Sequence, residues 1–112
     1  RLAEKDGIRG HVMIDASHAN SGKDPMKQPA VLRDVAGQIA GGDSRITGVM
    51  VESHLVAGRQ DLGKGDLTYG QSVTDGCLGW EDTVQELEAL AEAVTARRAH
   101  AARAAAPSLA EA

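Results

Sequence analysis

The sequence predicts an α/β fold built on parallel strands. Three observations carry that expectation: short continuous apolar runs that each end in a charged residue, an amphipathic helical stretch between the first two runs, and turn-forming residues at the junctions. Runs that are apolar throughout, rather than alternating, are what strands covered on both faces require. Strands of this kind alternating with helices are joined by right-handed crossovers.

The first strand is HVMIDA, His11 to Ala16. The stretch SHANSGKDP that follows is turn chemistry, with Asn20, Ser21, Gly22 and an Asp-Pro step. A helix then starts near Pro25 or Pro29, where proline suits the first turn. Val31, Val35 and Ile39 fall on one face of it, and Gly41-Gly42 ends it. ITGVMVE, Ile46 to Glu52, is the second strand and again ends in a carboxylate. A long loop with Gly58, Gly63, Gly65 and Gly70 comes next, and loops of such length are often functional. SVTDGCLGW, Ser72 to Trp80, reads as a third short strand with its own terminal carboxylate, Asp75. In the last helix Thr83 and Glu86 have capping-box spacing, Val84, Leu87, Ala91 and Val94 form an apolar stripe, and Arg97-Arg98 suit the negative end of the dipole.

The order is therefore β-α-β-long loop-β-α. Three strand units do not close a barrel, which takes about 250 residues when eight-stranded. Arg1 stands first rather than Met, which points to a processed chain or a piece of a longer one. Residues 1–98 make the folded part, and the Ala-rich stretch 99–112 reads as a disordered tail.

Composition narrows the function. Twelve Lys+Arg against 16 Asp+Glu give a formal charge of −4, which argues against a nucleic-acid binder. No apolar run is long enough for a membrane span, and no signal or lipidation pattern is visible. Cys77 is the only cysteine, so no internal disulfide forms, as suits a cytoplasmic protein. Aromatics are only 2%, so the core must be aliphatic and Ala-rich. Neither G-x-G-x-x-G nor G-x-x-x-x-G-K-[ST] occurs, and Gly41-Gly42 is a helix stop.

In parallel α/β sheets, catalytic and binding groups gather beyond the carboxyl ends of the strands. Those ends carry His18, Glu52 and Asp75. Neighbouring strands lie about 4.8 Å apart, so three successive strand ends can converge on one ion. An imidazole with two carboxylates suits Mn²⁺, Fe²⁺, Co²⁺ or Zn²⁺ better than Mg²⁺ or Ca²⁺. The alternative is that Glu52 and Asp75 only cap the helices that follow. Asp15 is expected to hold the His18 loop by accepting backbone hydrogen bonds. His11 has a structural role, His54 either orients Glu52 or packs, and His100 belongs to the tail. Lys23, Arg59 and Lys64 lie on loops at the same end and read as solvated charge, because their spacing forms no phosphate cradle.

Four stretches, VMIDASHANSGK, QIAGG, GVMVESHLVAGRQ and YGQSVTDGCLGWEDT, closely resemble the last part of the class I 3-deoxy-D-arabino-heptulosonate-7-phosphate (DAHP) synthases. The resemblance covers about residues 7 to 98, in correct order and spacing. It implies the C-terminal three β/α units of a TIM (β/α)8 barrel. It also implies one divalent metal ion (Mn, Fe, Co or Zn), with His18, Glu52 and Asp75 as three of its ligands. The family's fourth ligand, a cysteine on an early barrel loop, has no counterpart here. Cys77 matches a second family cysteine near the site, where a thiol is an oxidation liability.

The implied reaction joins phosphoenolpyruvate, erythrose 4-phosphate and water, releases phosphate, and opens the shikimate pathway to aromatic amino acids. His18, Glu52 and Asp75 would act through the metal, and Asp75 would also meet the tetrose hydroxyls. The implied parent enzyme is a cytoplasmic homo-oligomer. Most of the family's phosphate-binding Lys and Arg precede the part present, so the chain alone is expected to be inactive. Two other classes stay open: a non-catalytic interaction or regulatory module derived from a barrel end, and a small metal-dependent hydrolase using the same three residues.

Overall fold

The computed structural model describes residues 10–63 and 65–105. Strand β1 (Val12–Asp15) is followed by two short 3-10 turns, His18–Ser21 and Pro25–Lys27, and by helix α1 (Gln28–Ala40). Strands β2 (Ile46–Met50), β3 (Val56–Arg59) and β4 (Gln71–Ser72) precede the long helix α2 (Trp80–Ala105). Lys64 and the tail beyond Ala105 lie outside the described residues.

The start of α1 follows from its sequence. Asp24 Oδ1 accepts the N–H of Met26, which fixes the turn that Pro25 opens, and Pro29 occupies the first turn of the helix proper. The helix stops where Gly42 adopts φ 104°, a conformation that side chains rarely tolerate. A Cβ at Gly42 would also lie 2.6 Å from the ring of His100. His100 is thus packed against the end of α1. α2 continues to Ala105, so residues 99–105 are helical where composition predicts a disordered tail.

β1 and β2 pair in parallel, with Ile14 opposite Val49 and Asp15 opposite Met50. The helices cover one face of this pair. Val35, Ala36, Ile39, Ile46 and Ala93 form the buried cluster, flanked by Val12, Ile14, Val49, Leu90 and Val94. Leu32 is 1% exposed, and truncating it to Ala would cost about 2–5 kcal/mol. The other face is bare: Met13 is 67% exposed and Met50 46%. The expectation of strands covered on both sides is therefore corrected, since both helices lie on one side.

The third strand also differs from expectation. Asp75 does not end a strand; it closes a bend, and only Cys77 and Leu78 beyond it bridge to neighbours, Leu78 running parallel to Ser53. β4 pairs instead with β3, inside the Gly-rich segment expected to be a loop. The amide of Gln60 pins that segment by bonding Thr68 and Gln71, so part of it becomes ordered strand. The crossover from β2 to Leu78 has no helix, and α2 packs directly on α1.

Polar contacts turn α2 away from the apolar stripe read from its sequence. Thr83 lies inside the helix, not at its cap, with its hydroxyl on the carbonyl of Gly79 and against Ser53 Oγ. Glu86 reaches Arg33 of α1, and Arg97 donates to the carbonyls of Asp43 and Ile46 rather than to its own helix end. The inward residues are Thr83, Glu86, Leu90, Ala93 and Arg97, leaving Leu87 and Ala91 exposed. The capping-box expectation is corrected, and so is the stripe at Leu87 and Ala91, while Val84 is half-buried and Val94 packs against the core as expected.

Candidate metal centre

β1 delivers Asp15 to the sheet end, and the chain turns sharply after it. Asp15 Oδ1 accepts the backbone N–H of Ser17 at 2.8 Å and also the Ser17 hydroxyl, so the expected loop-holding role of Asp15 is observed. Oδ2 lies 2.9 Å from His18 Nδ1. His18 and Lys23 both have positive φ, 51° and 64°, a backbone strain typical of functional loops. The Lys23 N–H closes the loop onto the carbonyl of His18.

With Nδ1 donating to Asp15, the His18 ring presents Nε2 to Glu52 and Asp75. Nε2 is 3.7 Å from Glu52 Oε2 and 3.7 Å from Asp75 Oδ2. The three donor atoms all lie within 4.8 Å of one another. Two donors each about 2.1 Å from one ion can stand at most about 4.2 Å apart. Closing the set therefore needs only a small rotation of an exposed carboxylate. The donors fit a divalent ion of the transition series.

Electrostatics agree with this. The hydrogen bonds from Ser17 and His18 pull Asp15 down to about 2. The Asp15 hydrogen bond raises the His18 pKa; burial opposes it, and the charges of Glu52, Asp15 and Asp75 add smaller upward effects. One imidazole among three carboxylates leaves an excess of negative charge that a cation would balance.

Glu52 follows β2, and its backbone is gripped on both sides. Leu78 N–H donates to its carbonyl at 2.9 Å, and the side-chain amide of Gln28 pairs with both its N–H and its carbonyl. Asp75 stands on a bend held by Arg59 Nε on the Thr74 carbonyl and by the Thr74 N–H on Ser72 Oγ. Gly76 allows Pro25 to approach: a Cβ there would lie 2.8 Å from Pro25 Cγ. A cavity of about 240 Å³ opens between these segments, lined by His18, Lys23, Glu52, Arg59, Asp75 and Gly76.

The DAHP synthetase I family model matches residues 2–88, most of the chain. The chain belongs to this family. It is 59% identical over 96 residues to phospho-2-dehydro-3-deoxyheptonate aldolase of Haemophilus influenzae, an alignment covering 85% of this chain and 26% of that protein. It is also 59% identical over 95 residues to the Phe-sensitive phospho-2-dehydro-3-deoxyheptonate aldolase of Escherichia coli, over 84% of this chain and 27% of that one. The solved phospho-2-dehydro-3-deoxyheptonate aldolase from Francisella tularensis superposes with a TM-score of 0.78 at 56% identity, covering 84% of this chain and 27% of that structure. The chain thus spans about a quarter of the length of these DAHP synthetase I relatives.

Within this family member, the exposed Lys23 and Arg59 line the cavity beside the carboxylates, and Arg59 is paired with Asp61 at 2.8 Å. Turn geometry, not sequence spacing, brings them there. Gln28 was invisible to sequence reasoning, because its partner lies 24 residues away. His54 Nδ1 accepts the N–H of its neighbour Leu55, while the partner that orients a site imidazole is Asp15. His11 is exposed at the far end of β1. Cys77 is buried, and that burial pushes its thiol up; a hydrogen bond with Ser72 opposes it, and the nearby Glu52 and Asp75 charges add smaller upward effects.

Proposed function

We propose that the chain is the C-terminal three β/α units of a (β/α)8 barrel that makes 3-deoxy-D-arabino-heptulosonate 7-phosphate and phosphate. The substrates are phosphoenolpyruvate, D-erythrose 4-phosphate and water, and the reaction is the first step of the shikimate pathway. The observation that carries this reading is the convergence of His18, Glu52 and Asp75 on one cavity, in a chain of the DAHP synthetase I family. The bare sheet face with Met13 and Met50 supports it, since that face would be the interior of a closed barrel. Among the described residues no helix is long and apolar enough to cross a membrane. The working form is a cytoplasmic homo-oligomer.

His18, Glu52 and Asp75 would hold one divalent ion, Mn, Fe, Co or Zn, which when bound supplies Lewis acidity toward a carbonyl oxygen. The chain's own residues do the rest. Asp15 fixes the His18 tautomer so that the Nε2 lone pair faces the cavity. Asp75, the most exposed of the three, is placed to accept hydrogen bonds from tetrose hydroxyls. Lys23 and Arg59 bring positive charge to a cavity that must admit anionic substrates.

The chain alone, given Mn²⁺ and both substrates, is expected to give no product. Substituted for the C-terminal quarter of the Haemophilus influenzae relative, it is expected to restore turnover, and His18→Ala in that chimera to remove it. A folded chimera with no activity would overturn the reading.

A further inference from the structure

We infer that Gln28 is a positioning residue for the metal centre, acting through the backbone of Glu52; this rests on the proposal that His18, Glu52 and Asp75 hold a divalent ion. Gln28 is 0% exposed, and both ends of its amide are used. Oε1 accepts the Glu52 N–H at 2.8 Å, and Nε2 donates to the Glu52 carbonyl at 3.1 Å. A side-chain amide that pairs with both polar groups of one residue does what a neighbouring strand would do.

A substitute strand is needed at this point. The β1–β2 ladder runs to the bond from Ala16 N–H to the Met50 carbonyl, after which β1 turns away to form the His18 loop. Glu52 lies beyond that bond, where the sheet offers no partner on the β1 side. Gln28 fills the gap from the first turn of α1. On the opposite side Leu78 donates to the same Glu52 carbonyl, and His54 N–H donates to Leu78. Three segments therefore meet at one peptide backbone: the loop and turns that carry His18 into α1, the end of β2 that carries Glu52, and the stretch beyond Asp75. Fixing that backbone sets where the Glu52 carboxylate points relative to His18 Nε2. The departure of β1 that places the imidazole and the amide that completes the sheet are two halves of one arrangement.

The test is Mn²⁺ affinity of the chimera in which this chain replaces the C-terminal quarter of the Haemophilus influenzae relative, read by electron paramagnetic resonance titration alongside thermal melting. Gln28→Leu keeps the volume and removes both bonds; its dissociation constant is expected to rise at least tenfold. Gln28→Glu keeps the acceptor for the Glu52 N–H and loses the donor, and is expected to show a smaller rise. It decides the same question if Gln28→Leu fails to fold. Leu32→Ala, one turn further along α1, is the control: it lowers the melting temperature and leaves the dissociation constant of the folded chain unchanged. A folded Gln28 variant that binds Mn²⁺ as the parent does would overturn the role of Gln28 alone. Absence of binding in the parent, or binding that survives His18→Ala, would overturn the metal reading beneath it.

Discussion

Two charged clusters in this chain look alike in a sequence and differ in kind. Between the helices, Arg33 Nε donates to both oxygens of Glu86, at 3.1 and 3.0 Å, and the Glu86 side chain is only 6% exposed. One positive group meets one negative group, and the lone pairs are satisfied. At the strand ends, His18 faces Asp15, Glu52 and Asp75 across an open cavity. There the negative charge exceeds the positive, and Nε2 and two carboxylates point at the same space. Balance and access separate a strut between helices from a site that awaits a cation.

The sharpest way to break this comparison is Asp15→Asn. The substitution keeps the shape and can still accept the Ser17 N–H, so the loop is expected to stay folded with a modest fall in melting temperature. It removes the anion that holds His18 Nδ1–H, and the imidazole loses both its fixed tautomer and its basicity. Mn²⁺ affinity is expected to fall about 10- to 100-fold by calorimetry. An affinity within twofold of the parent would show that the three strand-end donors suffice without their partner.

The pH dependence is the next largest effect. Metal ligation needs neutral His18, and the Asp15 hydrogen bond raises the pKa of that ring. Mn²⁺ affinity should therefore be level at high pH and begin to fall above 6.5, the ordinary histidine value, by about tenfold per unit further down. In Asp15→Asn the fall should begin at lower pH, because the largest cause of the shift is gone. Stability without metal runs oppositely. The raised His18 contributes stability that is fully present below 6.5 and is lost as pH rises through the folded value. Asp15, lowered to about 2 from 3.8, contributes stability present above 3.8 and lost as pH falls toward 2. Calorimetric titrations across pH, with and without metal, separate the two.

The site and the fold were not equally legible in the sequence. His18 and Asp15 could be read because their relation is local: both oxygens of Asp15 reach residues two or three positions on. Glu52 and Asp75 could be named from their places after apolar runs, although Asp75 stands on a bend before its bridge rather than at a strand end. The rest depended on distance along the chain. Gln28 meets Glu52 across 24 residues, and the Gly-rich segment becomes strand only because the Gln60 amide bonds Thr68 and Gln71. The face that α2 presents is chosen by Thr83, Glu86 and Arg97, polar residues that an apolar-stripe argument does not count. Thr83 and Glu86 had the spacing of a cap, but a cap also needs the helix to begin there, and it begins at Trp80.

The smallest effect on metal belongs to the helix strut, and it is the one that tests whether balance is the right criterion. Arg33→Ala leaves Glu86 buried without its partner. A carboxylate in that position is either protonated or poorly solvated, and α1 loses a tie to α2. The melting temperature is expected to drop by on the order of 5 °C. The strut lies on the helical side of α1, while Gln28 and the His18 loop hold the site from its N-terminal end, so Mn²⁺ affinity of the folded variant should equal that of the parent. The pH profile of binding should superimpose on the parent's. A loss of Mn²⁺ affinity in Arg33→Ala as large as in Asp15→Asn would mean that the two clusters are one coupled network. Charge balance would then have been the wrong way to tell a strut from a site.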